Sequence, residues 1–178
     1  VLLVNRYYGC FEAKCGSEEV KCENGGVQDV NACSECRCPT GYGGPKCAEI
    51  DSKFKLFTAE NEDKTVSLTV GDSAKGLLET PEENFFVIQA PPGKRVEVNI
   101  SVVEIRLRAP DCLYGGAMIW TANDTRLAGF RFCAKEQTEP LYVSEGERVF
   151  FSIWSSYADT KVTITYRSST ANSSSAKQ

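Results

Sequence analysis

Nine cysteines carry most of the reactive chemistry in this chain of 178 residues, and seven of them fall between Cys10 and Cys47. Thiols at that density either ligate a soft metal as thiolates or pair as disulfides. Cys33-x-x-Cys36 has zinc-ligand spacing, but no second Cys-x-x-Cys follows at finger or ribbon distance and the chain contains no histidine. Oxidative pairing is therefore the expected chemistry, and it requires a secretory, extracellular setting. The same segment is too small to offset its chain entropy by apolar burial, so crosslinks must hold it.

The absence of histidine excludes more than zinc fingers. No Ser-His-Asp or Cys-His arrangement can form, and no imidazole base is poised near neutral pH. Glu18-Glu19 and Glu82-Glu83 are adjacent acids, but neighbours on a strand point to opposite faces, and in loops such pairs are solvated charge. No catalytic residue is expected in this chain, no resident metal and no other cofactor. A net charge of −4 with both signs interspersed leaves no basic stripe for nucleic acid. Val1-Leu2-Leu3-Val4 is far too short for a membrane span or a signal-peptide core, so secretion implies a leader upstream that has been removed.

Backbone elements that could seat the cysteines are turns rather than helices. Asn24-Gly25-Gly26 supplies positive φ beside the crosslinks, and Cys38-Pro-Thr-Gly-Tyr-Gly-Gly-Pro-Lys-Cys47 closes the run. Spacing alone leaves the connectivity open. The order Cys15, Cys22, Cys33, Cys36, Cys38, Cys47 resembles an EGF-like module: one residue separates the fourth and fifth cysteines, eight the fifth and sixth, with Gly-Tyr-x-Gly in that last interval. The resemblance implies the pairs Cys15–Cys33, Cys22–Cys36 and Cys38–Cys47. Calcium-binding members of that family carry an Asp-x-Asp/Glu signature before the first cysteine, whereas Phe11 to Lys14 stand there in this chain.

From about Lys53 to Arg167 short alternating segments are punctuated by Gly, Pro, Asp and Asn, the pattern of an all-β domain. Val96, Val98, Ile100 and Val102 share one strand face, with Glu97, Asn99 and Ser101 on the other, so Asn99 faces solvent. After Val102 the phase slips to Val103, Ile105 and Leu107, which signals a β-bulge. Similar strands begin at Lys64, Arg148 and Lys161, and no stretch shows a helical period. About eight strands make a β-sandwich.

Cys112-Leu-Tyr-Gly-Gly-Ala-Met-Ile-Trp120 and Leu127-Ala-Gly-Phe-Arg-Phe-Cys133 form a hairpin that a Cys112–Cys133 disulfide can close. Here the chain resembles a CUB domain, whose Cys-x-Tyr strand, aromatic return strand ending in Cys, and terminal strand like Val162 to Tyr166 it shares. It departs in lacking the cysteines of the usual first CUB disulfide and in placing Gly115 where calcium-binding members place an acid. Asp124 is expected to form the hairpin turn rather than bind a cation.

Asn-Arg-Tyr-Tyr-Gly-Cys10, this compact EGF-like spacing and the strand Arg126-Leu-Ala-Gly-Phe-Arg-Phe-Cys133 together resemble the C-terminal half of nematode astacin-type zinc metalloproteases. That resemblance implies residues 1–10 as the remnant of an upstream catalytic domain, 11–50 as the EGF-like module, 51–168 as the CUB-like β-sandwich and 169–178 as a disordered Ser/Thr-rich tail. It also implies that Cys10, the odd cysteine, is unpaired here or pairs with the upstream catalytic domain. The family's zinc motif is absent from this chain, so zinc belongs only to the implied catalytic domain.

The function expected is a non-catalytic extracellular module that positions an astacin-like metalloendopeptidase on a protein or matrix ligand. The alternative is a free-standing secreted EGF-CUB binder, a parasite effector acting on a host protein. Growth-factor mimicry is disfavoured, because Lys46 and Ala48-Glu49-Ile50 stand where EGF-receptor ligands carry arginine and leucine. Tyr42, Trp154 and Tyr157 are the candidate binding aromatics; packing would instead set Tyr42 on its own disulfide and Trp154 between the sheets. Sequons at Asn99, Asn123 and Asn172 are candidate glycosylation sites.

Overall fold

The computed structural model describes residues 2–17, 19–107, 109–133 and 141–170. It divides into two compact units, one of Val1–Ser52 with Asp124–Leu127, the other of Lys53–Asn123 with Ala128–Gln178.

The first unit begins with two short helices, α1 (Leu2–Tyr7) and α2 (Cys10–Cys15). The sequence reading expected none. Each has six residues, under two turns, so no 3.6-residue period can develop in the sequence. Gly9, at φ 60, breaks the chain between them. Two hairpins follow. β1 (Val27–Asp29) pairs antiparallel with β2 (Ala32–Arg37), and β3 (Tyr42–Gly43) pairs with β4 (Glu49–Ile50). The first turn is closed by Asp29, whose Oδ1 accepts from the Asn31 N–H at 2.9 Å.

Disulfides replace a core here. Cys15–Cys33, Cys22–Cys36 and Cys38–Cys47 have Cα separations of 5.4, 5.8 and 5.2 Å, all within the natural range. Asn24-Gly25-Gly26 is legible in the same terms. Asn24 and Gly25 both have positive φ, and Asn24 Nδ2 donates to the Cys47 carbonyl at 2.8 Å. A Cβ on Gly26 would reach Cys47 Sγ and would lie 3.2 Å from Cys22 Cβ, so no side chain fits between the two crosslinks.

The second unit is a β-sandwich. Its strands are β5 (Phe54–Thr58), β6 (Lys64–Gly71), β7 (Leu77–Gln89), β8 (Lys94–Ile105), β9 (Gly115–Trp120), β10 (Phe130–Phe132), β11 (Tyr142–Val143), β12 (Arg148–Tyr157) and β13 (Asp159–Thr170). One sheet has the order β10-β9-β12-β7-β5 and the other β11-β8-β13-β6. All pairs are antiparallel except β5 with β7, which run parallel at the edge of the first sheet.

Alternation explains the core. Val96, Val98 and Ile100 of β8, Val162, Ile164 and Tyr166 of β13, and Val149, Phe151 and Ile153 of β12 are all buried between the sheets. Phe86 and Phe151 stack with ring centroids 4.9 Å apart. Burial of a phenylalanine of this kind contributes about 2 kcal/mol. The phase slip in β8 is a register shift against β13: Ile100 pairs with Ile164 and Val102 with Thr163, leaving Ser101 as the extra residue. Val103 then turns inward. β13 runs two residues beyond the expected end of the sandwich at 168, pairing Ser169 with Arg95 and Thr170 with Lys94; 171–178 lie outside the described residues.

Candidate recognition surface

One end of the sandwich is built around the crosslink Cys112–Cys133, with a Cα separation of 4.9 Å. A single 3-10 turn, Pro110–Cys112, leads into β9, and Asp111 and Cys112 hold positive φ values of 58 and 56. Two consecutive non-glycine residues in the left-handed region need external restraint. β12 supplies it beside the disulfide. The Cys112 carbonyl accepts from Trp154 Nε1 at 3.2 Å, the Leu113 carbonyl from Ser156 Oγ at 2.7 Å, and the Tyr114 carbonyl from the N–H groups of Ser156 and Tyr157 at 3.0 and 3.3 Å. Three successive carbonyls are thereby tied to one strand end.

The β9–β12 register then pairs Gly115 with Ser155 and Gly116 with Trp154. A Cβ on Gly116 would come within 2.7 Å of the Trp154 ring and 2.9 Å of the Phe132 carbonyl. The indole therefore lies across the bare backbone of β9. Arg131 of β10 sits with its guanidinium 5.8 Å from the indole centroid, a cation–π distance. Tyr114 and Tyr157 meet edge to face at 6.0 Å. Beyond a register irregularity at Ser155–Tyr157, Tyr157 is paired with Leu77 at the start of β7. Ser155 Oγ donates to the carbonyls of Tyr157 and Ala158, both at 3.2 Å, which fixes the turn beyond.

The outcome is a rigid surface carrying Leu113 at 63% and Leu77 at 71% exposure, with Tyr114, Trp154 and Tyr157 half-buried behind them and Arg131 exposed. Tryptophan, tyrosine and arginine side chains on a fixed backbone have the composition of a protein-binding hot spot rather than of a small-molecule pocket, and the two leucines add exposed apolar area beside them. Among the described residues no three His, Cys, Asp or Glu side chains converge to hold a metal. The nearby buried carboxylate of Asp159 instead faces Arg106 at 3.4 Å and Lys161 at 3.7 Å.

Of the aromatics singled out from sequence, Trp154 and Tyr157 are brought together here, while Tyr42 belongs to the other unit and is buried, with its strand paired to Ile50. Trp154 does not pack between the sheets. It shares parity with Phe150 and Ser152, on the outward face, while Val149, Phe151 and Ile153 point inward. Leu113, Tyr114, Leu77 and Arg131 were not singled out. The first two lie in the Cys-x-Tyr segment and were within reach of sequence reasoning; Leu77 joins the site only through the β7–β12 register.

The sequons are dispersed. Asn99 is half-buried on the outward face of the four-stranded sheet, paired with Thr165. Asn123 is exposed, its N–H donating to the Glu145 carboxylate at 2.9 Å, and Asn172 lies outside the described residues. Asp124 accepts from Arg126 N–H at 3.0 Å and from its guanidinium at 2.8 and 2.7 Å. These hydrogen bonds lower its carboxyl to about 2 and mark it as a turn former. Cys10 has no disulfide partner among the described residues.

No protein-family model matches the chain. It is 30% identical over 171 residues to zinc metalloproteinase nas-31 of Caenorhabditis elegans, covering 96% of this chain and 28% of that protein. It is 32% identical over 171 residues to zinc metalloproteinase nas-29 of the same organism, covering 93% of this chain and 31% of that one. The chain thus spans less than a third of the length of these relatives. A solved CUB1-EGF-CUB2 segment of human MASP-1/3 aligns with 86% of this chain and 51% of that one, at a TM-score of 0.46 and 16% identity. The near-complete coverage of this chain by the nematode relatives, with the disulfide knot and sandwich just described, shows that it corresponds to the EGF-like plus CUB-like region of astacin-type zinc metalloproteinases.

Proposed function

We propose that the chain is a non-catalytic extracellular module that recognises a protein or matrix component and positions an astacin-type metalloendopeptidase upon it. The observation that carries this reading is the anchoring of Cys112, Leu113 and Tyr114 to β12, which presents Leu113, Leu77 and Tyr157 on a backbone that binding need not order. Preorganisation of this kind lowers the entropic cost of association. Four disulfides support an extracellular setting, and no helix among the described residues is long and apolar enough to cross a membrane.

Zinc would belong to a catalytic region of such a protein; this chain, without histidine, supplies no ligand set for it. Co-sedimentation of the 178-residue chain with insoluble nematode cuticle matrix tests the proposal. Saturable binding that Leu113→Asp and Tyr157→Ala abolish is expected. Binding that neither substitution changes, or no saturable binding at all, would contradict it.

A further inference from the structure

β6 forms one edge of the four-stranded sheet, paired with β13 on one side and, among the described residues, with no strand on the other. Among the described residues no backbone hydrogen bond joins its open side to another segment. An unpaired row of N–H and C=O groups is a template for another strand unless it is short, charged or kinked. The remaining edges are guarded in those ways: β11 has two residues, β10 three, and β5 has five and carries Lys55, with Lys53 immediately before its first residue. β6 has eight residues, Lys64-Thr-Val-Ser-Leu-Thr-Val-Gly71, with a single charge at its first position. Its outward face bears Thr65, Ser67 and Thr69, and its inward face Val66 and Leu68, both half-buried at the rim of the core.

We infer that β6 is a self-association edge, pairing antiparallel with β6 of a second copy of this chain across a two-fold axis at Leu68. That register sets Val66 opposite Val70 and Ser67 opposite Thr69 of the second copy, hydroxyl against hydroxyl and apolar against apolar, with each pair repeated by the symmetry. Lys64, the one charge of the strand, comes to the Gly71–Asp72 end of the other copy, so opposite charges meet at both ends. The hydroxyl ladder already present between β6 and β13 favours the same pairing. Thr65 Oγ1 lies 2.9 Å from Thr165 Oγ1 and Ser67 Oγ 2.8 Å from Thr163 Oγ1, and the second copy extends this ladder by another strand while covering Val66 and Leu68.

A second copy is favoured over a foreign peptide because Val66, Ser67, Leu68, Thr69 and Val70 each meet a residue of like chemistry across the axis. The contact is one strand wide, so the dimer belongs to the weak, concentration-dependent class.

Analytical ultracentrifugation of the chain with Cys10 alkylated, over a rising concentration series, tests this without disulfide-linked species. The parent chain is expected to dimerise. Ser67→Lys/Thr69→Lys sets lysine against lysine twice across the axis and should leave only monomer, whereas Ser67→Lys/Thr69→Glu sets opposite charges together and should dimerise at least as well as the parent. Both substituted positions are exposed, and circular dichroism checks that each variant keeps its sheet content. A parent chain that stays monomeric at about 1 mM, a lysine double variant that dimerises like the parent, or a Lys/Glu variant that is also monomeric would overturn the proposal.

Discussion

The indole N–H of Trp154 donates to the carbonyl of Cys112 at 3.2 Å, joining the end of β12 to a disulfide-bonded residue in the left-handed conformation. Trp154→Phe keeps an aromatic ring at this position and removes the hydrogen bond. The expected cost is about 1 kcal/mol, read as a fall in Tm of about 2–4 °C for a chain of this size. Trp154→Ala also empties the space above β9 and should cost about 3 kcal/mol. Differential scanning calorimetry distinguishes the two; equal losses would show that the ring contributes nothing beyond the hydrogen bond, and an unchanged Tm in Trp154→Phe would show that the bond contributes nothing.

Removal of the crosslink acts on the same corner from the other side. Cys112 and Cys133 are separated by 21 residues, so replacing both with serine frees a loop whose closure is worth about 3 kcal/mol. The expected signature is a lower Tm together with proteolytic nicking between Leu113 and Phe132. An unchanged nicking rate would mean that the β9–β12 hydrogen bonds hold the corner alone.

Gly116→Ala tests steric fit. The added methyl would press on the Trp154 ring at 2.7 Å and the Phe132 carbonyl at 2.9 Å, and the carbonyl cannot yield as a side chain can. Overpacking of this kind costs about 1–3 kcal/mol. Trp154 should become more exposed, with a red shift in its fluorescence; an unshifted spectrum and Tm would contradict the packing described.

The hairpin turn at Asp124 gives a pH dependence. Its carboxyl titrates at about 2 because Arg126 donates to it through side chain and backbone. The folded value lies below that of an unfolded aspartate, at about 3.9. The turn's contribution is therefore complete above the unfolded value and is lost as pH falls through about 2. Carboxyl-carbon NMR should show Asp124 titrating well below the other aspartates, and Arg126→Ala should move it back up toward the ordinary range.

Much of this architecture was legible in the residues. Alternation at Val96, Val98 and Ile100 announced the inward face of β8, and the slip after Val102 announced the bulge that the register places at Ser101. The spacing from Cys15 to Cys47 read as an EGF-like knot, and the structure pairs Cys15 with Cys33, Cys22 with Cys36 and Cys38 with Cys47. Trp154 was harder. It ends Val149-Phe-Phe-Ser-Ile-Trp154, where both parities are largely apolar and the buried face is hidden from the pattern. Leu77 was not legible as a site residue, because its neighbour Tyr157 is distant in sequence and only the register of β7 on β12 joins them. The helices at Leu2–Tyr7 and Cys10–Cys15 were too short to carry a period.

The most direct test of the proposed role compares two substrates in a full-length protease bearing this region. Leu113→Asp with Tyr157→Ala should lower kcat/KM for an insoluble matrix substrate by about tenfold or more, as expected for loss of a binding hot spot. The same enzyme should cleave a short fluorogenic peptide at the parent rate. Equal loss on both substrates, or no loss on either, would contradict the assignment of this surface to recognition.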